Sequence, residues 1–180
     1  SPDGTRAYVT NNSGGSVSVI DTATNTVTAT ISGLPGGQPL GIVVSPDGAH
    51  VYVADTQGGH AVSVIDTATN TVTATIGVGD PIAVAISPDG AHLYVTNQTA
   101  SSVSVVDTAT NTVSATIPLG GTGGWVSVSP DGALAYVTSG GNSVSVIDTA
   151  TNAVIDTVTV PTPGWVAVSP DGSHTYVTNN

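Results

Sequence analysis

Between Val103 and Ile117 the chain alternates in two bursts separated by a polar pentad. Val103-Ser104-Val105-Val106 is β-branched and alternating, and Val113, Ala115 and Ile117 then alternate with Thr112, Ser114 and Thr116. A period of two predicts strands, the second with one apolar and one hydroxyl face. The intervening Asp107-Thr108-Ala109-Thr110-Asn111 predicts a hairpin loop, since Asp and Asn side chains bond the local backbone. Upstream, apolar residues around Val84 and Ala85 run to Ser87, and Pro88-Asp89-Gly90 predicts a turn. His92 to Thr96 carries the next strand through Tyr94 and Val95, and Asn97 to Ser101 predicts a polar loop. No segment sustains a 3.6-residue period, so no helix of consequence is expected.

This pattern recurs. Ser-Pro-Asp-Gly begins at Ser1, Ser45, Ser87, Ser129 and Ser169, at spacings of 44, 42, 42 and 40 residues. A tyrosine follows at a fixed offset each time (Tyr8, Tyr52, Tyr94, Tyr136, Tyr176), and these are all the tyrosines of the chain. Val-Ser-Val-[Ile/Val]-Asp-Thr-Ala-Thr-Asn ends at Asn25, Asn70, Asn111 and Asn152. Four short antiparallel strands per unit of about 42 residues predict an all-β fold, a β-propeller of four-stranded blades. The inner strands are apolar on both faces, as blades stacked on both sides require. The outermost strand is rich in threonine.

The repeats also resemble a known family. Tyr8-Val9-Thr10-Asn11, Tyr94-Val95-Thr96-Asn97 and Tyr176-Val177-Thr178-Asn179, with the Ser-Pro-Asp-Gly turn and the Val-x-Val-Ile-Asp-Thr hairpin, are similar to the YVTN-type β-propeller repeat. The resemblance covers essentially the whole chain. Two copies depart from it, with Ala54-Asp55 and Thr138-Ser139 in place of Thr-Asn. It implies a place among archaeal and bacterial cell-surface proteins, surface-layer proteins included. It also implies kinship with propellers of some lactonases and of periplasmic dehydrogenase subunits.

The chain divides into repeats 1–44, 45–86, 87–128 and 129–168 and a partial copy at 169–180, within a single propeller domain 1–180. The element at Ser1 to Asn12 recurs at Ser169 to Asn180. Three arrangements account for this: a piece of a longer array, a four-bladed ring with a surplus strand, or blades completed by strands from a neighbouring chain. Self-association into an oligomer or polymer is the expectation we carry forward.

Composition narrows the partners. There is no Lys, Glu, Cys, Met or Phe, and one Arg6 faces 12 aspartates, for a formal charge of -11. One cation cannot neutralise a row of phosphates, which excludes nucleic acid, and a polybasic membrane patch is equally absent. No apolar run reaches the roughly 20 residues of a membrane helix, so no membrane insertion is expected. Such a surface, with one tryptic site after Arg6, fits an exposed extracellular material displayed on a cell surface.

Candidate chemistry is sparse. Asp3, Asp47, Asp89, Asp131 and Asp171 sit in Ser-Pro-Asp-Gly, and Asp21, Asp66, Asp107 and Asp148 open the hairpin loop. We read these nine as turn residues, because the loops lack the dense alternating carboxylates of a Ca²⁺ site. Asp55, Asp80 and Asp156 stand singly and are expected to be solvated. His50, His92 and His174 share one position with Arg6 and Leu134, two residues before the tyrosine, where they pack beside it. No metal site or cofactor is expected. Trp125 and Trp165 occupy one position, where the other repeats have Gly41 and Ala83. They predict either filling of a gap near the propeller axis or a stacking surface for a sugar ring or a subunit. Asn11 and Asn97 begin N-x-[Ser/Thr] sequons and are candidate N-glycosylation sites. No catalytic set converges: Ser, His and Asp recur as repeat consensus. The expected function is therefore a non-enzymatic extracellular structural or assembly module, a filament or surface-layer component. The alternatives are an adhesin that binds glycans or surface proteins and a lactonase-like or dehydrogenase-subunit-like propeller.

Overall fold

The computed structural model describes residues 1–180 and contains 17 strands in five antiparallel sheets. The first sheet holds β1 (Arg6–Asn11), β2 (Ser16–Asp21) and β3 (Thr26–Ile31). Three complete sheets follow. They are β4 (Pro39–Val44), β5 (His50–Asp55), β6 (Ala61–Asp66) and β7 (Thr71–Gly77); then β8 (Pro81–Ile86), β9 (His92–Asn97), β10 (Ser102–Asp107) and β11 (Thr112–Pro118); then β12 (Gly123–Val128), β13 (Leu134–Ser139), β14 (Ser143–Asp148) and β15 (Ala153–Thr159). The fifth sheet pairs β16 (Pro163–Val168) with β17 (Thr175–Asn179). The only helical residues form a single 3₁₀ turn at Asn12–Gly14. This is the β-propeller that the repeats predict: β4, β8, β12 and β16 pack one against the next at the centre, and the other strands follow outward in chain order.

The core is not one mass but three equivalent seams between neighbouring blades. Val17, Val19 and Ile31 of the first sheet meet Val51, Val53 and Ile65 of the second. Val62, Val64 and Ile76 of the second meet Leu93, Val95 and Val106 of the third. Val103, Val105 and Ile117 of the third meet Ala135, Val137 and Ile147 of the fourth. Successive residues of a strand face opposite sides, so Val105 serves one seam and Val106 the other. That is why the inner strands are apolar on both faces.

The outer strand corrects one expectation. Val-x-Ala-x-Ile in β7 does not form a single face, because a bulge opposite Val64 and Ile65 shifts the register. Ala74 packs with the cluster between the second and third blades, while Val72 turns to the seam behind it. The residue in the bulge is a hydroxyl that donates to the facing carbonyl: Thr28 to Val19 (3.3 Å), Thr73 to Val64 (3.3 Å) and Ser114 to Val105 (3.1 Å). In β15 this place is held by Ile155, which is exposed.

The turns follow their sequences closely. In the second copy Ser45 Oγ donates to Asp47 Oδ1 (2.5 Å), the Ala49 amide donates to the same oxygen (2.9 Å), and Gly48, at φ 75°, closes the turn on the Ser45 carbonyl. At the hairpin loop Thr69 gives both its amide and its hydroxyl to Asp66 Oδ1, and Asn70 adopts a left-handed φ of 54°. These turns also join blades. A β-carbon on Gly48, Gly90, Gly132 or Gly172 would meet the Cδ of Pro2, Pro46, Pro88 or Pro130 at 3.3–3.6 Å. Each turn glycine thus lies against the proline ring of the preceding blade. Gly4 has nothing within 4 Å.

Candidate functional site

The axis is built by the third residue of each innermost strand: Gly41, Ala83, Trp125 and Trp165. On one side the backbones close up, since a β-carbon on Gly41 would stand 2.7 Å from Ala83 Cα and 2.8 Å from the Ile82 carbonyl. On the other side the register skip that β4 also carries recurs at both tryptophans. Pairing jumps from Gly123–Ser139 to Val126–Val137, and from Pro163–Asn179 to Val166–Val177, which leaves Gly-Trp opposite a single threonine. That threonine accepts the freed amide: Trp125 N donates to Thr138 Oγ1 and Trp165 N to Thr178 Oγ1, each at 2.8 Å. A side chain at Gly124 or Gly164 would collide with the same hydroxyl. Gly-Trp-Val with Thr 13 residues after the Trp is the sequence signal of this device.

The two indoles stack with ring centroids 3.4 Å apart and planes inclined by 16°. Trp125 packs against the seam of the third and fourth blades, whereas Trp165 is 59% exposed. Trp125 thus fills space near the axis, and the outer face of Trp165 is open. Together with Tyr8, Val9, Leu40 and Val84 they line a cleft of about 330 Å³ that reaches across the axis to β1.

The polar corners where the second strand of each blade ends form a second repeated feature. Asn97 is 2% exposed, donates Nδ2 to Ser104 Oγ (2.9 Å) and Ser102 Oγ (3.3 Å), and accepts the Gly79 amide on Oδ1 (3.1 Å). Asn11 donates likewise to Ser16 and Ser18. With these nitrogens engaged, and Asn97 sealed from solvent, an N-linked sugar has no access to Asn97 in the folded chain. Asp55 occupies the same place in the second blade and is fully buried, against the expectation of a solvated carboxylate. Ser63 donates to Oδ2 at 2.5 Å, while Oδ1 has no partner. Burial pushes the Asp55 carboxyl up from its usual value, with the Ser63 bond opposing it. Sequence reasoning missed this site; the substitution of the usual Asn was its only trace.

The nine turn aspartates behave oppositely. Hydrogen bonds from Ser1 and Thr5 lower Asp3 to about 2, and those from Ser169 and Ser173 lower Asp171 to about 2. The other seven are also lowered by serine, threonine and backbone donors. His50 and His174 lie beside Tyr52 and Tyr176, at centroid distances of 6.4 and 6.2 Å. His60 Nδ1 lies 3.9 Å from Asp80 Oδ1. No three His or Asp side chains come together in a geometry that could hold a metal ion. What the arrangement offers chemically is an aromatic platform at the axis.

Comparison with known proteins agrees with this architecture. The family model described as "Lactonase, 7-bladed beta-propeller" matches residues 1–116. Kuenenia stuttgartiensis hydrazine synthase is similar with a TM-score of 0.90 and 31% identity, over 98% of this chain and 53% of that one. A functionally unknown protein from Desulfotomaculum acetoxidans has the same fold, with a TM-score of 0.85 and 23% identity, over 99% of this chain and 61% of that one. The chain therefore spans between half and two thirds of these structures. No curated protein sequence matches it.

Proposed function

The chain belongs to the seven-bladed β-propeller lactonase family; for this member we propose, on its strand sequences and not on the family match, a non-enzymatic module that joins copies of itself head to tail, displayed outside the cell. The observation that carries this reading is the interchangeability of two strands: β16 pairs with β17, and β1 carries the same Tyr-Val-Thr-Asn as β17. Laying β16 of one copy on β1 of the next makes a four-stranded blade, with β17 released. The exchange is close to even, because Tyr8-Val9-Thr10-Asn11 repeats the Tyr176-Val177-Thr178-Asn179 that it displaces. An unpaired edge is a ready template for such pairing.

Commitment of nine aspartates to turns leaves few carboxylates free for catalysis. One cationic side chain and no cysteine fit an exposed, protease-resistant setting. The YVTN type of repeat, with its cell-surface and surface-layer members, is consistent with this role.

The test uses the absence of native cysteine. In the proposed pairing Val166 faces Val9 of the next copy, as it faces Val177 within the chain. Oxidised Val9→Cys/Val166→Cys protein is expected to run as a ladder of cross-linked multimers, and light scattering of the unmodified chain to give a mass that grows with concentration. Monomer alone in both experiments overturns the reading. The family match favours a second reading, a catalytic propeller acting on lactones. It predicts turnover across a panel of lactones, and multimers without turnover speak against it.

A further inference from the structure

We infer that the axial cleft is a binding site for a soft organic cation of the quaternary ammonium class. It competes with the head-to-tail assembly for β1 and β16, which both line the cleft, and so concerns the unassembled chain. Its volume of about 330 Å³ lies at the lower end of small-molecule pockets, roughly 300–1,000 Å³, the right scale for a compact headgroup.

The lining decides the class of ligand. Nine of the 11 lining residues are hydrophobic, and no carboxylate, Arg or His is among them. The one hydroxyl of an aliphatic side chain, Thr10 Oγ1, already donates to the Leu40 carbonyl at 2.9 Å. A sugar seated here finds only the Tyr8 phenol and the indole N–H groups among the side chains, too few for its hydroxyls, and each one left unpaired weakens binding. A hydrated metal ion finds no cage of oxygens. A quaternary ammonium has no donor to satisfy, sheds water readily, and gains from an indole face, the best aromatic surface for a cation.

The rest of the molecule favours the same charge. The formal charge is -11, and the sole Arg6 is held away from the cleft by a 2.9 Å bond from Nη1 to the Thr67 carbonyl. The summed field therefore draws cations and repels anions. At 3.4 Å the indoles leave no space between them. The ligand thus sits on the free face of Trp165, with Trp125 bracing the platform from behind and Tyr8 and Val9 on the opposite wall.

A matched pair of probes separates charge from shape: choline, and 3,3-dimethylbutanol, its neutral carbon analogue. Titrating the intact chain with choline is expected to give a saturable change in tryptophan fluorescence that weakens as NaCl is raised. The neutral alcohol is expected to bind several-fold more weakly. Trp165→Ala is expected to lose the response, with Trp125 still present as reporter, and Trp165→Phe to keep part of it. Trp165 is largely exposed, so both variants should keep the parent thermal transition. Equal response to the two probes, tighter binding of methyl glucoside than of choline, or no saturable response to choline would each overturn the assignment.

Discussion

Asn97 and Asp55 stand at the same corner of neighbouring blades, differ by one atom type, and are solvated by the protein in different ways. The amide of Asn97 bonds two serine hydroxyls and accepts a backbone N–H. The carboxyl of Asp55 keeps one serine, Ser63, and leaves Oδ1 alone. Two changes nearby account for the loss. Ala61 stands where the third blade has Ser102, which removes one hydroxyl. The segment entering the second blade runs seven residues, from Ser32 to Gln38, against three, Val78 to Asp80, before the third. In the longer segment Gly37 turns its amide to the Leu34 carbonyl, and Gly36 packs close to the Asp55 β-carbon. Repeat symmetry thus preserves the corner as a position, while loop length decides whether its polar groups are satisfied. Each unsatisfied buried group costs about 1–3 kcal/mol.

The largest effect should come from breaking the satisfied corner. Asn97→Ala strands the Gly79 amide and removes the partner of Ser102 and Ser104, for an expected loss of about 3 kcal/mol. Chemical denaturation, read as a shift in midpoint, checks it; a loss under about 1 kcal/mol would mean that water replaces the amide and the corner is not sealed. Repairing the poor corner should move stability the other way. Asp55→Asn replaces a buried carboxyl by a neutral amide able to donate to Ser63, for an expected gain of about 1–3 kcal/mol near neutral pH. Adding Ala61→Ser supplies the second acceptor and should contribute a further ~0.5–1.5 kcal/mol. The sum should exceed either change alone, because both serve one network. No gain from Ala61→Ser in the Asn background would show that the long segment has moved the amide out of reach.

How much of this was legible beforehand depends on the range of the interaction. Blades, turns and the two-faced inner strands were readable, because they repeat and are set by local geometry. The Gly-Trp pairs marked the axis, and the structure divided their roles between packing and exposure. The bulge was hidden, since Val72, Ala74 and Ile76 alternate perfectly in sequence and part only when a partner strand skips a residue. Asp55 was hidden more deeply. It is buried at the corner that Asn97 and Ser139 also occupy, while its missing partner depends on the Ser32–Gln38 segment that leads into its blade, which no spacing around Asp55 reveals. The Asn97 sequon is masked for a related reason: Asn97 reads as the start of a polar loop but ends a strand, and its nitrogen bonds within the protein.

The smallest effect is one of shape in the pH profile, and it places the two classes of aspartate in opposition. The turn carboxyls have folded-state values below the usual 3.8, about 2 for Asp3 and Asp171. Their contribution is complete above the usual value and is lost as pH falls through the depressed one. Asp55 is raised above 3.8 by burial. Below 3.8 it is protonated in both states and neutral in effect; as pH rises, the unfolded chain ionises first and stability falls until the folded carboxyl ionises as well. The parent chain should therefore gain stability from acid up to about pH 4 and then lose some of it. In Asp55→Asn the rise should remain and the descent should vanish, so that the two curves meet in acid and separate above the usual carboxylate range. Thermal unfolding of both proteins across that range measures the separation. Parallel curves would mean that Asp55 titrates like an exposed carboxylate, and that water reaches Oδ1 through the glycine-rich segment above it.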